Sequence, residues 1–268
     1  MFALLQHLFH PIHCYALCAV ARSGAHLLCE GLRATHRAGR PLQYFHQNLA
    51  PKYAARYGLD AVGQFSQYVR GIVSATATSN GVFGFRSEPW DMNRLVERLS
   101  GSGQFGKADA PENELLRSAF PRLRCVQLTR ENKLRQAVSK ARAMQSHHWL
   151  ATKEKKVPGE PHFDPALIAQ CEHAAKQAEQ MWDAFFRRNG IEPCPVTYEE
   201  LCRDYPATVA RVLDFLQIRP PRGFELGPPQ TIRQADATSE EWVRRYAELQ
   251  LSKDPLPRTD AAERGPPC

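Results

Sequence analysis

Apolar positions along the chain fall into short, separated runs, and the runs switch between two periods. The stretch "CYALCAV" at 14–20 is apolar throughout and of strand length. The run stops at Ala21, passes through Arg22-Ser23-Gly24, and resumes as Leu27, Leu28 and Leu32, the 3.6-residue period of a helix over 25–35. "HRAGRPLQYF" carries a glycine and a proline and reads as a loop. Two helical patterns fill about 50–77, "GVFGF" at 81–85 predicts a short strand, and "WDMNRLVERL" predicts a helix behind it. The Gly- and Ser-rich segment 100–112 predicts a flexible internal loop.

The second half repeats the rhythm. A strand over 123–130 precedes a helix over 132–145, and "KEKKVPGEPHF" reads as a charged loop. Residues 164–189 form the longest helical pattern, closed by Asn189-Gly190. "PCPVTY" predicts a further strand, and 206–218 a helix with proline in its first turn. "TSEEWVRRYAEL" opens a last helix with Thr238 and Glu241 spaced as a capping box. Strands alternating with helices predict an α/β fold: a mostly parallel sheet with helices on both faces. Ligands of such sheets sit outside the carboxyl ends of the strands, where Arg22 and Arg130 both fall. Residues 1–252 are expected to form one domain, and the Pro- and charge-rich 253–268 a disordered tail.

Composition narrows the partners. Among 268 residues, 43% are hydrophobic, enough for a sizeable core, and the formal charge of +7 favours an anionic ligand. The eight cysteines contain no CxxC pair, so a disulfide framework is not expected and a reducing cytoplasm is. Cys14 and Cys18 share one face of the first strand and read as core thiols. His10 with His13, and His147 with His148, lack a carboxylate or thiol at matching spacing, so no metal is expected. The first twenty residues lack a basic leader and are split by Pro11, unlike a secretory signal. No apolar run reaches the roughly 18 residues of a membrane span, and the chain reads as soluble.

The turn Arg22–Leu27 is the first chemical candidate. A strand-to-helix turn presents unpaired backbone N–H groups and a positive helix end to an anion. Gly24 permits close backbone approach, and Arg22 offers a forked donor. There is no G-x-x-x-x-G-K-[ST] loop, which disfavours a kinase-like phosphotransferase, and no G-x-G-x-x-G. Alone, the turn reads as an ordinary strand–helix connection. The second candidate is "TRENKLRQAVSKARA", with Arg130 at a strand end and Ser139 within the next helix, spaced to clasp one phosphate.

Together these elements resemble the nucleotide site of sulfotransferases that use 3'-phosphoadenosine 5'-phosphosulfate. More narrowly, the chain resembles the bacterial trehalose 2-sulfotransferase family. The similar blocks occur in family order: "RSGAHLLCEGLRATHRAGRPLQYF" (22–45), "NGVFGF" (80–85), "LTRENKLRQAVSKARAMQ" (128–145), "WDAFFRRNGIEPCPVTYEEL" (182–201) and "RQADATSEEWVRRY" (233–246). The resemblance implies a parallel-sheet sulfotransferase fold of the nucleoside-triphosphate-hydrolase type. It implies metal-free transfer of a sulfuryl group to a hydroxyl of a carbohydrate or glycolipid. Residues Arg22, Ser23, Gly24, Ala25, His26 and Leu27 would then hold the 5'-phosphosulfate, and Arg130 with Ser139 the 3'-phosphate. Arg233 and Gln234 would lie on a loop near the nucleotide. No nucleic-acid partner is implied, and the family admits a homodimer.

The chain departs from the family at three places. The family turn reads R-S-G-S-T, whereas Ala25 and His26 stand here. Losing a hydrogen bond to a charged group costs about 1.5–3 kcal/mol, which His26 would offset in part by donating to the phosphate, its charge then varying near neutral pH. Gln43 occupies the place of the family's general-base glutamate, and an amide orients a hydroxyl but does not take its proton. His26 or His46 would take over, with His26 preferred from its place on the turn. Arg86 in "GVFGFR" stands where the family has lysine, and a one-residue shift precedes Trp90. These departures keep open a second reading, a catalytically impaired nucleotide-binding or interaction protein on the same scaffold.

Overall fold

The computed structural model describes residues 13–107, 109–147, 149, 161–230 and 236–253. Four strands form one parallel sheet: β1 (His13–Ala19), β2 (Val82–Ser87), β3 (Arg124–Thr129) and β4 (Cys194–Thr197), in the spatial order β2-β1-β3-β4. Between β1 and β2 run α1 (Ala25–Ala34), α2 (Ala50–Tyr57) and α3 (Phe65–Thr76). The connection from β2 to β3 holds α4 (Pro89–Ser102) and α5 (Glu112–Ala119). From β3 to β4 it holds α6 (Lys133–Ser146) and α7 (Pro165–Asn189). After β4 come α8 (Tyr198–Arg203), α9 (Tyr205–Phe215) and α10 (Ala237–Lys253).

The unbroken apolar run of β1 follows from its central place, because both of its faces are covered. Cys14, Ala16 and Cys18 pack with the helices from α2 to α5 and with α7. Tyr15, Leu17 and Ala19 pack against α1, α8 and α9 on the other face. A third apolar cluster joins α6, α7 and α10 through Ala141, Ile168, Cys171 and Trp242. From β1 the chain crosses to β2 on one side, whereas β3 lies on the other. The crevice outside the carboxyl ends of β1 and β3 is therefore where strand order reverses, the position at which open α/β sheets bind ligands.

Long periodic segments formed as their patterns predict, including the 25-residue α7, whose Gly190 closes it with φ 59°. Cys14 and Cys18 are buried thiols, and every described cysteine is free. Two expectations need correction. The segment 100–112 is not a loose linker: α4 runs to Ser102, Phe105 is buried beneath the Arg70 guanidinium, and α5 opens at Glu112. Its glycines and serines hid an aromatic anchor. The capping box lies at Thr197 and Glu200, opening α8, a six-residue helix that its short apolar pattern does not announce. At the last helix Asp236 displaces Thr238, its Oδ1 accepting from the Ser239 N–H at 2.9 Å. Asp is a strong N-cap, and Arg142 fixes this one by donating to its carboxylate. The tail expected from 253 begins on the last residue of α10, and the rest of it lies outside the described residues, as does most of the charged loop.

Candidate active site

A cavity of about 1400 Å³ opens where β1, β2 and β3 end. One wall is the Arg22–Leu27 turn. Arg22 and Gly24 both take left-handed backbone conformations, φ 66° and 89°. Gly24 is the N-cap of α1, and no side chain caps it. The first N–H groups of α1 are thus left to the cavity, which Gly24, Ala25, His26 and Leu27 line. Ser23 does not share this role. It is wholly buried, and its hydroxyl donates to the Val20 carbonyl at 2.7 Å, so it shapes the turn from behind.

Two arginines face each other across this turn. Arg22 donates from Nε to Ser139 Oγ at 2.9 Å and from Nη1 to the Trp149 carbonyl at 2.8 Å. Arg130 lies over the Tyr198 ring, 4.4 Å from its centroid, and donates to the Arg22 carbonyl at 3.3 Å. Ser139 therefore pairs with Arg22 rather than with Arg130, though all three line the one cavity. Arg130 makes no salt bridge among the described residues, and its buried Nε has no hydrogen-bond partner there. Burial, and then the neighbouring Arg130, pushes Arg22 down to about 10. Burial also lowers Arg130. Each remains a cation at neutral pH, and a polyanion between them would relieve both penalties.

The opposite wall is organised by Arg86. Leu42 bridges to Phe85 beside β2, and the Arg86 N–H donates to the Leu42 carbonyl at 2.9 Å. This sets Gln43 next to Arg86, whose Nη2 donates to Gln43 Oε1. The same guanidinium donates from Nη1 to His26 Nδ1 at 3.1 Å. Since arginine only donates, the neutral His26 ring carries its proton on Nε2 and offers a donor to the cavity. Burial among the cavity walls, then Arg86, Arg22 and Arg33, pushes His26 down to about 4. With arginines around it and no anion bound, His26 is neutral near neutral pH.

Other residues, to which the sequence assigned no role there, reach the site. Lys140 and Arg142 of α6, Tyr198 of α8, and Glu88 and Trp90 beyond β2 all line the cavity. Asp236 brings the C-terminal segment to it, and Arg142 holds its carboxylate down to about 2. Arg233 and Gln234, expected near the nucleotide, lie outside the described residues. Among the described residues no cluster of His, Cys, Asp or Glu is arranged to hold a metal ion. No described helix is long and apolar enough to cross a membrane.

The family model described as Stf0 sulphotransferase matches residues 14–248. The trehalose 2-sulfotransferase of Mycobacterium tuberculosis (strain ATCC 35801 / TMC 107 / Erdman) is 28% identical, covering 87% of this chain and 93% of its own length. The trehalose 2-sulfotransferase of Mycolicibacterium smegmatis (strain ATCC 700084 / mc(2)155) is 29% identical, covering 92% of this chain and 98% of its own. Among solved structures, the sulfotransferase domain from the Synechococcus PCC 7002 olefin synthase is similar over 94% of this chain and 98% of its own, with a TM-score of 0.45 and 14% identity.

Proposed function

The chain belongs to the Stf0 sulphotransferase family, and from that premise we propose that it transfers a sulfuryl group from 3'-phosphoadenosine 5'-phosphosulfate to a hydroxyl of a carbohydrate or glycolipid. The observation that carries this reading is the pair of cavity arginines, Arg22 and Arg130, beside the uncapped start of α1. Helix N–H groups and two guanidinium groups at one crevice suit a ligand with separated phosphate-type anions. The buried Arg130 Nε has no partner among the described residues, so it is a donor an anion could engage. Transfer from such a donor needs cationic groups where charge collects on the leaving phosphate, and no metal is called for.

The loss of the R-S-G-S-T hydroxyls is offset by what stands there. Ala25 keeps its backbone donor, and His26 presents Nε2–H as a neutral donor. The acceptor side is drawn from Gln43, His46 and Trp90, which line the cavity beyond Arg86. Trp90 is 38% exposed and offers an aromatic face to a sugar ring. The trehalose sulfotransferases named above make trehalose the first acceptor to try.

The test is a donor-dependent sulfation screen of the whole chain over trehalose, other sugars, glycolipids and phenols, read by mass gain. A sulfated sugar or glycolipid is expected. Sulfation confined to phenols would overturn the acceptor class. Binding of the nucleotide without transfer to any acceptor would favour the impaired-enzyme reading, for which the amide of Gln43 is the specific observation.

A further inference from the structure

We propose that Glu88 is the general base of this enzyme, taking the proton of the acceptor hydroxyl in place of the missing carboxylate at Gln43. The inference rests on the sulfotransferase reading above and adds the identity of the base.

Three other groups near the reacting region already have their acceptor atoms filled. Gln43 Oε1 accepts from Arg86, which leaves its NH2 for the cavity. His26 Nδ1 accepts from the same guanidinium. His46 Nδ1 accepts from the Asn48 N–H at 3.1 Å. Two further carboxylates line the cavity, and both are ion-paired: Asp236 with Arg142, and Glu240 with Arg135. Glu88 is different. Among the described residues no side chain or backbone N–H donates to its carboxylate, and it forms no ion pair there.

Its position explains why the carboxylate is available. Glu88 follows β2 directly and is the N-cap residue of α4, with Pro89 next. Glutamate is not among the residues whose side chains cap a helix start, and Glu88 makes no such bond, so its carboxylate is not drawn back to α4. It lines the cavity two residues beyond Arg86. The charges acting on it come from separate walls: Arg86 on β2, Asp91 on α4 and Lys140 on α6. Burial raises Glu88 to about 7, with Asp91 adding to the rise, while Arg86 and Lys140 oppose it. A carboxylate poised near the working pH suits proton abstraction better than an ordinary one.

The step balances as follows. The acceptor oxygen bonds to sulfur as the bond from sulfur to the bridging oxygen of the phosphosulfate breaks. The electron pair goes to the 5'-phosphate of the departing 3'-phosphoadenosine 5'-phosphate, and the hydroxyl proton passes to the Glu88 carboxylate. Arg86 holds Gln43 and His26 in place while leaving Glu88 open.

The test compares wild type, Glu88→Gln, and the double variant Gln43→Glu/Glu88→Gln, with the sugar or glycolipid sulfated best in the screen as acceptor. Glu88→Gln is expected to lower kcat by about 10²–10⁴-fold, the usual worth of a general base. Affinity for 3'-phosphoadenosine 5'-phosphate, measured by calorimetry, should be unchanged or higher, which shows the variant folded. The wild-type rate should rise with pH through about 7 or above, as the base form of Glu88 appears, and this limb should vanish in Glu88→Gln. Returning a carboxylate at position 43 should recover at least tenfold. Wild-type kcat and an unchanged pH limb in Glu88→Gln overturn the assignment while leaving the sulfotransferase reading intact. Absence of transfer by wild type to every sugar and glycolipid of the screen overturns both.

Discussion

Replacing Arg130 by alanine is expected to weaken binding of 3'-phosphoadenosine 5'-phosphate by about 100-fold or more while scarcely altering the melting temperature of the free protein. The two halves of this result have one cause. Arg130 is buried beside Arg22, each lowered by loss of water and Arg22 further by its neighbour. In the free protein the guanidinium contributes a stack on Tyr198, a long hydrogen bond and attraction to Glu199, set against its own desolvation and its repulsion of Arg22. Removing it is close to neutral for folding. With an anion bound, the same group gains a partner for its orphaned Nε, and truncating one member of a buried charge pair costs about 2–5 kcal/mol. Each 1.4 kcal/mol is tenfold in affinity. Calorimetry and thermal melts on one preparation check both halves. A large loss of stability with affinity intact would make Arg130 a structural residue.

Gly24→Ala should damage both properties together. Gly24 holds φ 89°, a conformation that costs an L-residue about 1–2 kcal/mol. A Cβ there would also stand 2.6 Å from Cδ2 of Tyr198, so the ring must move. That ring supports Arg130, so strain at the turn reaches the second arginine. A melting temperature lower by about 3–8 °C is expected, on the scale of a few degrees per kcal/mol for a domain of this size. Affinity for 3'-phosphoadenosine 5'-phosphate should fall at least about tenfold. Unchanged binding would mean that the turn and the Tyr198–Arg130 stack are not coupled.

The contrast between these variants bears on what was legible in the sequence. Arg22, Gly24 and Arg130 could be placed because each stands where a strand ends, and strand ends are set by local pattern. The pairing of Arg22 with Ser139 could not, since it joins positions 117 residues apart through the packing of α6 on the sheet. Ser23 looked like a ligand because of its place in the turn, yet a hydroxyl there can satisfy itself on the Val20 carbonyl. The short helices α5 and α8 carry too few apolar positions to declare a period. Glu88 was invisible for a further reason. At an N-cap position nothing in the pattern says whether a carboxylate turns to its helix or away from it, and the absence of a cap is a fact of three dimensions. The family resemblance implies a lost carboxylate at Gln43, and Arg86 occupies the acceptor atoms of Gln43 and His26.

The central claim is that the crevice between Arg22 and Arg130 is a site for 3'-phosphoadenosine 5'-phosphosulfate. Isothermal titration of the wild-type chain with 3'-phosphoadenosine 5'-phosphate tests it most directly, with adenosine 5'-phosphate as the control that lacks the second phosphate. The account predicts saturable one-to-one binding that weakens with added salt, and at least tenfold weaker binding of the control. No binding at millimolar ligand, or equal binding of the two nucleotides, would contradict it.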